Sequence, residues 1–139
     1  MSVPHCCSLT AFHHRPTEGT SIMLTAAYLA AAAAAALHVF IFYLESFAWT
    51  TRARKVFGTT EQEAANTKEM AFNQGFYNLF LAIIAAVGIA LHNHALIYAG
   101  TGSMLAAALV LALTSPDKRG AAAKQGVFPL LSVLLLALS

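Results

Sequence analysis

Glu45 and His38 are the only ionisable side chains, tyrosines aside, in the run Met23 to Trp49, MLTAAYLAAAAAAALHVFIFYLESFAW. They stand seven positions apart. At about 100° per residue, a helix puts them within about 20° of each other on one face. A charge at a bilayer centre costs about 2.5–3.5 kcal/mol on insertion scales, so such a group faces a partner or a cavity rather than lipid. A carboxylate so placed could hold a cation or carry a proton, and an imidazole could act as acid or base. Further along the chain, Asn73, Gln74, Tyr77 and Asn78 open a second apolar run, and Gln125 opens another. Gln74 and Asn78 form an i, i+4 pair and share a face. Phe42 and Trp49 flank Glu45 at i−3 and i+4. The predicted constellation is a carboxylate between aromatic rings, facing amides from two other helices.

The elements that must carry these residues are membrane-length helices. The chain has 139 residues, of which 58% are hydrophobic and 10% charged. Soluble domains carry about 25% charged residues. Mean hydropathy is +0.65, and the apolar residues come in blocks near the ~20 residues that a bilayer core requires. The pattern predicts an all-α, four-transmembrane-helix bundle with spans at about 24–49, 70–91, 95–114 and 121–139. Gly58 can end a short extension of the first span. Thr59 and Thr60 then offer N-caps with Gln62 and Glu63 three residues on, a capping-box pattern, so the second helix is expected to begin near residue 60. His92-Asn93-His94 is a short link, and Pro116 stops the third span. Lys124 is expected to snorkel, keeping its stem in apolar surroundings.

Residues 1–22, MSVPHCCSLTAFHHRPTEGTSI, show no helical or strand period. Met23 is the expected native start, with the upstream stretch a start-site extension; a disordered tail is the rival reading. A cleavable signal peptide fits poorly, because the apolar run outlasts a signal h-region of about 7–15 residues. Cys6 and Cys7, with His5, His13 and His14, match no structural zinc spacing. No metal site or cofactor is therefore expected. The formal net charge of +2 is too weak to point to nucleic acid.

The distribution of charge says more than its sum. Arg52, Arg54, Lys55 and Lys68 fall in the first loop region, and Lys118, Arg119 and Lys124 in the third, while the second link carries neither Lys nor Arg. Basic loops stay cytoplasmic. Both termini are thus expected outside, with loops one and three in the cytoplasm, in a membrane expected to be the bacterial inner membrane. On that topology Glu45, Asn73, Gln74, Asn78 and Gln125 gather at the cytoplasmic side, with His38 about 10 Å deeper at 1.5 Å per residue. Small residues form stripes on the first span (Ala26 to Ala36) and on the third (Ala99, Ser103, Ala107). Such stripes let helices pack closely, so contact between these two spans is expected, within one chain or across a homo-oligomer. Gly75 and Gly126 are expected to allow close backbone approach near Glu45.

Plainer readings stand beside these. Asn73, Gln74 and Gln125 could hydrogen-bond between helices, for about 0.6–2 kcal/mol each. Trp49, Tyr43 and Phe47 fit an interfacial aromatic belt. Glu45 could pair with Arg52. His38 could be a neutral imidazole bonded to a helix carbonyl or to a tyrosine.

The segments LHVFIFYLESFAWTTRARKVFG, NQGFYNLFLA and KQGVFPLL together resemble a small family of bacterial and fungal four-helix membrane proteins, catalogued as a domain of unknown function. The likeness extends over nearly everything from Met23 onward. It implies His38, Glu45, Asn73, Gln74, Asn78 and Gln125 as functional residues and supplies no activity. Three functions remain open. The first is binding or transport of a small solute, a cation held by Glu45 and aromatic faces. The plan is similar to that of small multidrug transporters, but the strong charge bias and the apolar outer halves depart from it. The second is a membrane enzyme acting on a lipid-soluble substrate. The third is a structural or partner-binding subunit.

Overall fold

A computed structural model describes residues 18–139; the expectations for His5, Cys6, Cys7, His13 and His14 lie outside the described residues. The chain forms α1 (Glu18–Phe47), a π-helical turn (Trp49–Ala53), α2 (Arg54–Phe57), α3 (Glu61–Asn66), α4 (Lys68–Ala90), α5 (His94–Thr114), a 3-10 turn (Pro116–Lys118) and α6 (Arg119–Leu138). Among the described residues there is no strand. Four helices, α1, α4, α5 and α6 with its leading turn, are long and apolar enough to cross a membrane. The fold is the expected all-α bundle.

Local signals account for most boundaries. Ala and Leu, the strongest helix formers, dominate α1, which begins at Glu18 ahead of Leu24. Gly58 closes α2 in the left-handed region at φ 68°, where a residue without Cβ adds no strain. Thr60 caps α3 through a capping box: its backbone N–H donates to Glu63 Oε2 at 2.9 Å, and the Glu63 N–H donates to Thr60 Oγ1 at 3.3 Å. The second helix is therefore two pieces that meet at Thr67. Asn93 caps α5 by accepting from the Leu96 N–H at 3.2 Å. Pro116 sits at the first position of the 3-10 turn, where its missing N–H leaves no bond unmade. Pro129 lies inside α6 and is fully buried.

The four long helices form a ring. α1 packs on α4 and α6, and α5 packs on the same two from the other side. The centre is built from small side chains: Ala34 and Ala35 of α1 meet Ala82 and Ala85 of α4 around Met104 of α5. A second layer joins Ala27 and Ala31 to Ile97 and Leu136. Between apolar helices in an apolar solvent, close van der Waals packing must supply the association. Glycines permit it. A Cβ at Gly100 would lie 2.8 Å from the Ala85 nitrogen, and one at Gly88 would lie 2.7 Å from the Ile97 nitrogen.

Within one chain the expected contact between the first and third spans is slight: α1 and α5 are diagonal partners and touch only briefly. Ala99, Ser103 and Ala107 are exposed, whereas Ile97, Gly100, Thr101, Met104 and Ala108 are buried. α5 carries small residues on more than one face, and the face bearing Gly100 turns inward. The alanines of α1 are divided: Ala34 and Ala35 pack with Ala82 and Ala85 of α4, and Ala27 and Ala31 with Ile97 of α5 and Leu136 of α6.

Gly100 and Gly102 allow a controlled test, because a Cβ at Gly102 would meet nothing within 4 Å. Gly100→Ala should destabilise the detergent-solubilised protein by about 1–3 kcal/mol, as overpacking does. Gly102→Ala should be neutral or slightly stabilising. Thermal unfolding of the two variants beside wild type checks this.

Candidate ligand cleft

The site begins at the crossing of α1 and α4. Gly75 is buried there, and a Cβ on it would clash with Ser46 Oγ and lie 3.1 Å from the Phe42 carbonyl oxygen. This approach lets the short Asn78 side chain reach α1. Asn78 Nδ2 donates to Glu45 Oε2 at 2.7 Å, and to the Gln74 carbonyl at 3.2 Å. A bond to a charged acceptor is among the stronger ones. Asn78 is buried and Glu45 half-buried, so the carboxylate is held by one firm donor with part of its surface free.

That free part faces a cleft of about 580 Å³ lined by Glu45, Trp49, Met70, Gln74 and Leu111 among others. Glu45, Gln74 and Leu111 lie farthest from the loops and form its floor. Trp49 makes a wall, placed by the π-helical turn that follows α1. Its Nε1 donates to Thr67 Oγ1 at 3.1 Å, and Thr67 Oγ1 donates to the Glu63 carbonyl at 2.6 Å. Phe57 braces the indole, with ring centroids 5.6 Å apart. The mouth is charged: Glu63, Asp117 and Lys118 line it with Thr59. The Thr60 backbone N–H, then the Thr60 hydroxyl, hold the Glu63 carboxyl below its usual range, with Lys118 adding to the effect.

The structure brings together Glu45, Gln74, Asn78 and Trp49, and sets the other expected residues apart. Phe42 belongs to an aromatic seam across α1 and α4, 5.0 Å from Phe76 and 5.4 Å from Phe47 between centroids. Tyr77 is 61% exposed, and Asn73 is exposed beside it. His38 is buried, and its Nδ1 lies 2.9 Å from the Ala34 carbonyl oxygen. A carbonyl only accepts, so Nδ1 carries the proton, and this is the plain reading of His38 as an imidazole bonded to its own helix. Gln125 lines a different hollow, with Leu44 and Phe57, between α1 and α6. The amides around Glu45 thus come from one helix rather than two. The close approach at Gly126 is to Ala108 of α5, whose Cβ a Gly126 Cβ would meet at 3.0 Å. Among the described residues the ion pair present is Arg54–Glu61 at 3.3 Å, and Arg52 does not pair with Glu45. No group of three His, Cys, Asp or Glu side chains among the described residues is arranged for a metal.

Sequence reasoning missed the mouth. Thr59, Glu63, Thr67, Asp117 and Lys118 come from the segments that join the long helices, and only the capping box hinted that Glu63 had a fixed position.

Together the four long helices define a small all-helical protein of the kind that crosses a membrane several times. Residues 32–137 match the family model described as "Protein of unknown function (DUF1304)", and the chain belongs to that family. The match spans every residue of the cleft. No curated protein and no solved structure matches the chain.

The state of Glu63 gives a pH prediction. Its carboxyl is depressed in the folded chain, so the cap it makes is present above the unfolded pKa of about 4.3 and is lost as pH falls through the folded value. Amide hydrogen exchange in α3 should therefore quicken on acidification below about pH 4. Glu63→Gln should flatten that dependence while leaving α4 protection unchanged.

Proposed function

We propose that the cleft binds a small organic cation, with Glu45 as counter-charge and the Trp49 ring as one wall. The observation that carries this reading is the Asn78 to Glu45 bond of 2.7 Å at the floor of an open cleft. It fixes a carboxylate where a ligand can reach it, and among the described residues no cation pairs with it. Apolar lining from Met70, Ala71 and Leu111 favours an organic ion over a hydrated metal ion. A cation over an indole face gains about 0.5–2 kcal/mol beyond its ion pair.

Binding is favoured over a fixed pore. Beyond the floor the bundle closes on an apolar layer of Ala34, Ala35, Ala82, Ala85 and Met104. Transport would require the helices to move apart at that layer. The enzyme alternative is left with Glu45 and Asn78, since Gln125 lines another hollow and His38, bonded to the Ala34 carbonyl, does not line the cleft. The cleft opens at the end bearing Arg52, Arg54, Lys55, Lys118 and Arg119, so by the positive-inside rule it faces the cytoplasm. A reporter fused after Ser139 should accordingly be active on the outer face. Cytoplasmic activity would reverse the orientation.

Trp49 is the only tryptophan in the chain, so its emission reads the cleft directly. Titration of the solubilised protein with a series from tetramethylammonium to tetraphenylphosphonium should give a saturable change for at least one cation. Glu45→Gln should weaken it by about tenfold or more, the loss expected of one charge-assisted contact. Phe42→Leu, outside the cleft, should leave it intact. Equal affinity in wild type and Glu45→Gln would sink the proposal.

A further inference from the structure

A second hollow runs along the opposite side of α1. Between α1 and α6 lies an apolar slot of about 170 Å³ whose walls include Ile41, Leu44, Phe57 and Ala121. At its loop end it continues into a cup of about 290 Å³. Phe57, Ala121 and Lys124 line both hollows, so they form one groove that is apolar along the helices and polar at the end. The cup is basic. Lys55, Lys118 and Lys124 line it, against a single acid, Asp117. Among the described residues no carboxylate lies within 4.0 Å of any of these ammonium groups, because Arg54–Glu61 is the ion pair present. Lysines converging on one hollow repel each other unless something negative sits between them.

We propose that this groove is a binding site for an anionic phospholipid of the leaflet on the side of loops one and three. The lysines take the phosphate, and the slot between α1 and α6 takes the first part of an acyl chain. The two halves of the groove match the two halves of one molecule, in the order in which a lipid presents them. A soluble phosphate ester would use the cup and leave the slot empty. An apolar ligand would use the slot and leave the lysines uncompensated. Basic pockets between helices at the membrane face recognise anionic head groups, and each Lys near such a surface strengthens attraction severalfold. Lys124 fits both halves, since a long stem can lie in the slot while the ammonium reaches the cup. The proposal is independent of the cation cleft. Lys118 lines both hollows, but Lys55 and Lys124 line only this one.

The test compares phosphatidylglycerol with phosphatidylcholine, each titrated into the full chain in mild detergent. Bound lipid is counted by native mass spectrometry, and thermal stability is read in parallel. Wild type should retain phosphatidylglycerol preferentially, at one molecule per chain. Lys55→Gln with Lys124→Gln should weaken that preference by about tenfold or more while leaving phosphatidylcholine unchanged. Ala121→Phe, which fills the slot and leaves the lysines in place, should lower phosphatidylglycerol retention as well. Arg52→Gln with Lys68→Gln removes two charges outside the groove and should have little effect. Three results would overturn the proposal: no preference in wild type, an equal loss in the Arg52 and Lys68 variant, or full competition by soluble glycerol phosphate. The second would mean diffuse surface attraction, and the third a site for a free phosphate ester. If the lysine variant fails to fold, Ala121→Phe still decides whether the slot takes part.

Discussion

Gly75 lets α1 and α4 touch at backbone distance, and the arrangement around Glu45 depends on that approach. Asparagine has a short side chain. It can donate to a carboxylate on a neighbouring helix only if the two axes come unusually close. Any Cβ at residue 75 would meet Ser46 and the Phe42 carbonyl and push the helices apart. The same device recurs where Gly88 and Gly100 meet the facing backbone or side chains. Apolar surface gains little by association in a hydrocarbon solvent, so a bundle of this kind needs close packing and a few well-made polar contacts. The alanine-rich centre supplies the packing, and the Asn78 to Glu45 bond is a polar contact of the required sort.

Much of this was legible in the residues. Length and hydropathy specify four long helices, and the Thr60 capping box and the Gly58 stop are both found where the sequence puts them. Helix phase correctly joined Gln74 to Asn78 and turned Glu45 toward them. It did not decide between faces wherever more than one was plausible. α5 carries small residues on several sides, so spacing alone could not tell that Gly100, Met104 and Ala108 turn inward and Ala99, Ser103 and Ala107 outward. Gln125 lies at the same depth as Glu45, but depth does not fix azimuth, and α6 presents it to the other side of α1. The neighbours of a helix in a ring follow from three-dimensional packing, which a one-dimensional pattern does not contain.

His38 shows the converse. It shares a face with Glu45 and suggested shared chemistry, but its ring turns back along its own helix to the Ala34 carbonyl. A buried polar group must be bonded, and the nearest acceptor is often the residue one turn earlier. Thr101, also buried, does the same with the Ile97 carbonyl at 2.7 Å. Glu45 has no such local solution. A carboxylate only accepts, and the backbone N–H groups within a helix are already used. It therefore needs a donor from elsewhere, and this is why Glu45, rather than His38, organises its surroundings.

The two ends of the bundle differ in kind. At the link between α4 and α5 the chain turns tightly, and Tyr28 packs edge-on against His92 and His94 with centroids 5.8 Å and 6.0 Å away. At the opposite end the regular helices are interrupted three times: by the π-helical turn after α1, by the break at Thr67, and by the 3-10 turn after α5. Each interruption aims a residue that a straight helix would have carried elsewhere. The first places Trp49, the second Thr67 to receive its bond, and the third Lys118 at the mouth. π-helical turns are rare and recur at functional sites. An end that needed only to close could have been closed by a link as short as residues 91–93. This one instead uses the whole stretch from residue 48 to residue 67 to wall a cleft with one carboxylate, Glu45, at its floor. The irregular backbone and the isolated acid are thus parts of one site, and the regular bundle beneath them is the platform that holds the acid still.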